Sequence, residues 1–277
     1  MPEAYSTPSS PSGSVGSTTR PRAVGVERIA AALAFVAERG WVSAAELSAA
    51  LDVDRSTGWR LARSLQRVGW LHLDVDSHRY RLGVPLFELG VRVLETFDVR
   101  AEARRVMTEL VASTGESADL AILDGDSAVF IDKIDGTNEV RAFTRSGQRT
   151  RLHIVAAGKV FLAFMPERDL QAYLAGPLEP HTPATITDAT VLRRVIEETR
   201  RQGWAVNRGE LHEEAGAIAV PILDTGGACV AALGLNIPLT RLTDEGIPLL
   251  VAELQAAAVR ITPTTGFGGP ARPVGRR

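Results

Sequence analysis

Apolar positions step by three and four along the first patterned part of the chain. Val26, Ile29, Leu33 and Val36 mark one face of a helix that Gly40 ends. Ser43 opens a second helix, and Glu46 three residues on gives "SAAE" the form of a capping box, with Leu47, Ala50 and Leu51 as its buried side. After a tight "DVD" turn, Asp54 stands where an N-cap belongs, and Thr57, Leu61, Leu65 and Val68 form the stripe of a third helix. The period then drops to two. Leu71, Leu73, Tyr80 and Leu82 alternate with polar residues around "DVDS", the pattern of a β-hairpin. Helix, helix, tight turn, helix and hairpin together predict a winged helix-turn-helix domain over residues 23–83.

A connecting helix follows within residues 84–98, with Leu86, Leu89 and Val93 on one face. Asp98 stands as the cap of another, where Val99, Ala103, Val106 and Leu110 repeat until Gly115. From there the pattern turns to strands. "ADLAILDGDSAVFIDKI" predicts two strands around an Asp124-Gly125 turn, and "VRAFTR" a third. "HIVAAGKVFLAF" predicts an apolar helix, and Thr187 to Gln202 an amphipathic one closed by Gly203. "WAVN", "AIAVPILD" and "ACVAALGLNI" supply further strands, the last two joined by "DTGG", before a final helix from Thr243 to Ile261. The class is α+β, with a mixed α/β domain of mostly antiparallel hairpins over 99–262. The two ends, 1–22 and 263–277, are rich in Ser, Pro, Gly and Thr and are expected to be disordered tails.

Composition adds that 277 residues with 45% hydrophobic and 23% charged side chains make a globular chain of about two domains. The N-terminus lacks the apolar core of a signal peptide, and no apolar run approaches the ~18 residues of a membrane span. With a single cysteine, Cys229, in an apolar strand, a cytoplasmic chain with a buried structural thiol is expected. Net charge is −2, but from Arg20 to Leu82 ten arginines face seven acids, leaving that segment near +3 and the rest near −5. A basic front on an acidic body suggests division of labour.

The third helix carries the candidate chemistry. A helix entering the major groove needs short polar or basic side chains near its start, and Arg55, Ser56, Thr57 and Arg60 meet that demand. Arg60 can pair bidentately with guanine, and Ser56 and Thr57 suit phosphate or base contacts. Trp59 suits a thymine methyl or sugar, or a place over the core, while His78 and Arg79 at the hairpin tip can press on the flanking backbone or minor groove. A solvated arginine-rich surface helix is the competing reading of this segment.

Enzymatic constellations are missing. "AAGKV" is no phosphate loop, since GxxxxGK[ST] would need a glycine where His153 stands and a hydroxyl where Val160 stands. The five histidines show no metal-ligand spacing, and no GxSxG elbow occurs. No catalytic residue, metal or cofactor is expected.

The stretch "RSTGWRLARSLQRVGWL...RYRLG" resembles the DNA-binding domain of the IclR family of bacterial transcriptional regulators. "LFELG", "LDGDSAVFIDKIDG", "RSGQRTRLHIVAAGKVFLAFMP", "TITDATVLRRVIEETRRQGWAV" and "IAVPILDTGGACVAALGLN" follow the family's order, so the resemblance covers roughly residues 23–262. It implies a homodimer or dimer of dimers on a palindromic double-stranded operator, through the winged helix. It also implies a C-terminal domain with a GAF or profilin-like fold that senses a small organic acid. The family's pocket positions fall on Ala156, Ala157, Asn207, Ala217, Gly234 and Asn236. Departures from the family pattern stand at Gly58 and Trp59 in the recognition helix and at Asn207, Ala217 and Gly234 in the pocket. Gly58 suggests a softer helix, since glycine costs about 1 kcal/mol relative to alanine there. The smaller, less polar pocket residues suggest more room and a bulkier, more apolar acid, aromatic or longer-chain, with Asn207 either a ligand contact or a structural strand end. The glycine and alanines of "HIVAAGK" permit a carboxylate to approach a helix start, or else allow tight helix packing. A ligand-independent, dimeric architectural DNA-binding protein is the alternative function.

Overall fold

The computed structural model describes residues 25–95, 98–140 and 144–261. Both expected tails, the side chain of Asp98 and the middle of the strand expected over 140–145 lie outside the described residues. The chain divides into two compact units, residues 1–91 and 92–277. Among the described residues no helix is long and apolar enough to cross a membrane.

The first unit is the winged helix-turn-helix. Helices α1 (Gly25–Arg39), α2 (Ala44–Ala50) and α3 (Arg55–Arg67) precede a hairpin of β1 (Leu71–Asp74) and β2 (Arg79–Leu82), and α4 (Val84–Glu95) follows. The Ser43–Glu46 capping box forms in full. Ala32, Val36, Val42, Leu47, Ala62, Leu65, Leu71 and Tyr80 build one core. Val42 exchanges both backbone hydrogen bonds with Tyr80, which ties the wing to the loop after α1.

Several facing assignments from periodicity shift. In α3 the buried stripe is Gly58, Ala62 and Leu65, one position round from the expected one, and Val68 is 58% exposed. Val68 is the C-cap of α3, so the helical period no longer governs it. In α2 the buried pair is Leu47 and Ser48, and Ala50 is exposed. Val26, in the first turn of α1, is exposed too. So are Val84, Phe87, Leu89 and Val93 of α4, which leaves that helix with solvent-facing apolar side chains.

The second unit holds a six-stranded sheet in the order β5-β4-β3-β8-β7-β6, antiparallel throughout. Its strands are β3 (Ser117–Asp124), β4 (Ser127–Ile134), β5 (Arg149–Arg151), β6 (Ala205–Arg208), β7 (Ala215–Leu223) and β8 (Cys229–Pro238). Helices α5 (Asp98–Thr114) and α9 (Ile247–Val259) cover one face through Val99, Ala103, Val106, Leu110, Val251 and Leu254. The other face takes α6 (Ala156–Phe164), α7 (Glu167–Leu174) and α8 (Ala189–Gln202). Periodicity alone missed α7 and the short β5, and it ran the α6 helix across a separate 3-10 turn at Leu152–Ile154. The helix expected from Thr243 begins only at Ile247.

His153 in that turn is fully buried: its Nδ1 meets the Tyr173 hydroxyl at 2.8 Å and its Nε2 the Glu179 carbonyl at 3.0 Å. Burial holds its pKa below the ordinary histidine value, so it acts as a neutral packing residue. Cys229 starts β8 only half-buried, and desolvation pushes its thiol up to about 12, far from nucleophilic use.

Candidate functional site

The start of α3 is organised by one carboxylate. Asp54 accepts from the Thr57 backbone N–H (2.9 Å), the Ser56 hydroxyl (2.6 Å) and the Thr57 hydroxyl (2.7 Å). These hydrogen bonds hold its pKa well below the usual carboxylate range. Thr57 in turn accepts from Arg60 Nη2 at 3.2 Å, and Arg60 Nε donates to the Ser56 carbonyl at 3.3 Å. Thr57 is half-buried and its hydroxyl is engaged at both ends, whereas Arg55, Ser56, Trp59 and Arg60 are exposed. A preset guanidinium therefore stands one turn into an exposed helix, the position a base edge or phosphate requires.

Trp59, 52% exposed, lies outside the core, and the Arg63 guanidinium stacks over its ring at 5.5 Å. Trp59, Arg60, Arg63, Ser64, Gln66 and Arg67 line one continuous surface depression. At the wing, His78 takes a positive φ of 53° at the end of the turn. Arg79 is turned back into its own domain. It donates to the Trp41 carbonyl at 2.7 Å and pairs with Glu46 of the α2 capping box at 3.3 Å. The arginine of the wing left stacked on an aromatic is Arg81, 5.1 Å over Trp41. Asp54 was read from the sequence as the cap of α3 but not as a member of the site, and Arg81 was not singled out.

Gly58 has a steric reason. A Cβ there would lie 2.0 Å from Ser48 Oγ and 3.0 Å from the Ser48 backbone. The glycine lets α3 seat closely on α2.

The second site is in the other unit. All six pocket positions implied by the resemblance, Ala156, Ala157, Asn207, Ala217, Gly234 and Asn236, line a single cavity of about 30 Å³. Val155 and Ala156 open α6 with no side-chain cap, so its first N–H groups are free of intrahelical partners there. Gly158 does not line the cavity; a Cβ on it would lie 2.1 Å from the Leu152 carbonyl, so it serves close packing. The Asn207 amide is used structurally, donating to the Ile154 carbonyl and accepting from Glu210 N–H at 3.1 Å.

The segment after β6 closes over this cavity through Leu211 and His212. A buried ion pair pins it: Lys159 Nζ of α6 meets Glu210 Oε1 at 2.6 Å and donates to the Val206 carbonyl at 3.0 Å. Desolvation pushes Lys159 down and Glu210 up, each opposed by the partner's charge. Glu210 Oε2 is buried without a hydrogen-bond partner among the described residues.

At Gly234, where the sequence suggested extra room, the space is taken by a polar group. A Cβ on Gly234 would lie 2.5 Å from Oδ1 of Asp119, a buried acid that also lines the cavity. Asp119 went unnoticed in the sequence, though a lone acid inside "SADLAIL" was a readable signal. Among the described residues no cluster of His, Cys, Asp or Glu could hold a metal ion.

Comparison with known proteins gives these two sites a common context. The family model described as "Bacterial transcriptional regulator IclR C-terminal" matches residues 91–262. The chain is 33% identical over 236 residues to the HTH-type transcriptional regulator KdgR of Escherichia coli (strain K12), covering 85% of this chain and 90% of that protein. The crystal structure of the Thermotoga maritima IclR superposes with a TM-score of 0.69 at 32% identity, covering 85% of this chain and 96% of that one. An IclR homolog from Microbacterium hydrocarbonoxydans, complexed with 4-hydroxybenzoate, gives a TM-score of 0.72 at 28% identity, over 84% of this chain and 97% of that one.

Proposed function

The chain belongs to the IclR family of bacterial transcriptional regulators and is a DNA-binding, non-enzymatic protein; from that premise we propose that it reads a palindromic operator as a homodimer and answers to a small organic acid. Convergence of all six implied pocket positions on one cavity beside the open start of α6 is the observation that carries the effector reading. A helix start with unpaired N–H groups favours a carboxylate. The 4-hydroxybenzoate complex of the Microbacterium homolog supports an aromatic acid as one member of the class.

On DNA, Arg60 is the base-reading residue, Arg55 and Ser56 hold phosphates, and Trp59 carries sugar or thymine-methyl contact with Arg63 stacked behind it. Thr57 belongs to the same face as a support that aims Arg60, and His78 and Arg79 shape the wing. The solvent-facing Val84, Phe87 and Leu89 of α4 favour pairing with a second copy, which sets two recognition helices on two half-sites.

A cavity near the volume of one water admits an organic acid only if its lining opens. The effector then favours an opened state over the closed one, and α4 and α5, which join the two units in sequence, bias the DNA-binding pair: a population shift. Fluorescence anisotropy on an operator fragment, titrated with aromatic and aliphatic acids, tests this. A change of about fivefold or more in operator affinity with at least one acid is expected. Operator affinity indifferent to every acid would favour a ligand-independent architectural role.

A further inference from the structure

Resting on the acid-effector reading above, we propose that Asp119 makes this cavity select acids that carry a hydroxyl as a second hydrogen-bonding group. The site is built around that carboxylate. Asp119 lies on β3, flanked by Ala118 and Leu120, which belong to the core under α5 and α9. Alternation along the strand therefore turns Asp119 to the opposite face, where it lines the cavity. It is 3% exposed. Both of its hydrogen bonds converge on Oδ2, from Asn236 Nδ2 at 2.6 Å and from the Thr144 hydroxyl at 3.1 Å.

Gly234 stands directly opposite Asp119 in the β3–β8 register, and a side chain there would strike Oδ1. The glycine thus makes room for a charged group inside an otherwise apolar wall of Phe130, Ala217, Ile218 and Ala219. Among the described residues no ion pair joins Asp119 to a cation, and desolvation lifts its pKa to about 6. Placing an acid there works against folding, and two hydrogen bonds leave much of the carboxylate's accepting capacity unused.

The cavity consequently presents opposite demands at its two sides. Asn207, bonded to the Ile154 carbonyl just before α6, is on β6, three strands across the sheet from Asp119 on β3. The α6 start attracts an anion. Asp119 repels one but accepts a charge-assisted hydrogen bond from a hydroxyl. An acid without a donor leaves the buried carboxylate further desolvated and unpaired, whereas a hydroxy acid answers both sides.

The test is calorimetric titration of the full-length protein at pH 7.5 with matched pairs: benzoate and 4-hydroxybenzoate, propionate and lactate. In at least one pair the hydroxylated member is expected to bind about tenfold tighter or more, the scale of a hydrogen bond to a charged group. Asp119→Asn is expected to shrink that ratio, chiefly by tightening the plain acid, which no longer meets a repelling carboxylate. Equal affinities within every pair in the wild type overturn the proposal and leave the acid reading standing, a comparison that needs no variant. A preference that survives Asp119→Asn unchanged also overturns it. If no acid binds in either form, the acid reading falls and takes this inference with it.

Discussion

Replacing Gly58 by alanine sets two effects of opposite sign against each other inside the recognition helix. At an uncrowded helical position the change stabilises by about 1 kcal/mol, because glycine has more backbone freedom to lose. Here the new methyl would lie 2.0 Å from Ser48 Oγ, 2.9 Å from its Cβ and 3.0 Å from its Cα. Rotating Ser48 relieves only the first contact, and gives up its hydroxyl bond to the Ala44 carbonyl at 2.8 Å. The other two yield only if α2 and α3 separate. Overpacking of this kind costs about 1–3 kcal/mol, which offsets or exceeds the propensity gain, so Gly58→Ala should destabilise by up to about 2 kcal/mol. Urea unfolding followed by tryptophan fluorescence reports it, since Trp41, Trp59 and Trp70 all belong to this domain. Ser48→Gly removes the obstructing atoms, so the double variant should recover about 1–2 kcal/mol relative to the sum of the singles. A Gly58→Ala protein that is more stable than wild type, with no coupling to Ser48, would refute the packing argument.

Other residues carry separate expectations. Asp119, lifted to about 6 from an unfolded value of 3.8, binds its proton more readily in the folded state. Stability from this group is therefore present at low pH and is lost as pH rises from about 4 to about 6, by about 3 kcal/mol. Denaturation of wild type and Asp119→Asn between pH 4 and 7.5 should show that difference growing with pH; parallel curves would contradict it. Lys159→Met leaves Glu210 buried with both oxygens unpaired by a side chain, Oε2 already lacking a hydrogen bond among the described residues. A loss of about 3–5 kcal/mol is expected by thermal unfolding, with the double variant Lys159→Met/Glu210→Leu recovering most of it; additive losses would refute the pairing. Arg60→Ala should cost about 1–3 kcal/mol in operator binding and relax sequence preference. Arg79→Ala, which removes a contact to Glu46 and Trp41, should act mainly on the stability of the wing. Equal effects of the two on operator specificity would show that the roles are wrongly divided.

Much of this was legible in the chain because local chemistry decides it. Ser43–Glu46 and Asp54 form the caps their spacing announces, and Val99, Ala103, Val106 and Leu110 bury the face their period defines. What periodicity could not supply was the direction of close tertiary approach. Whether the buried stripe of α3 runs through Thr57 or Gly58 depends on how near α2 comes, and only Ser48 tells that. Asp119 escaped for a related reason: one acid in an apolar strand faces either solvent or cavity, according to the partners that sheet pairing brings, here Gly234 and Asn236. The six pocket positions implied by the resemblance converge on one cavity, but tertiary contacts decide what each side chain does there. Asn207 spends its amide on the backbone, and the space left by Gly234 is filled by a carboxylate.

Two preset recognition helices, one from each copy, should read specific paired sites on DNA. Selection of native genomic fragments by the purified full-length protein at near-physiological salt, followed by sequencing, tests it most directly. A small set of palindromic sites, with half-sites about one helical turn apart and lost on Arg60→Ala, is the predicted result. Binding spread over all fragments, governed by a steep salt dependence alone and insensitive to the choice of sequence, would contradict it.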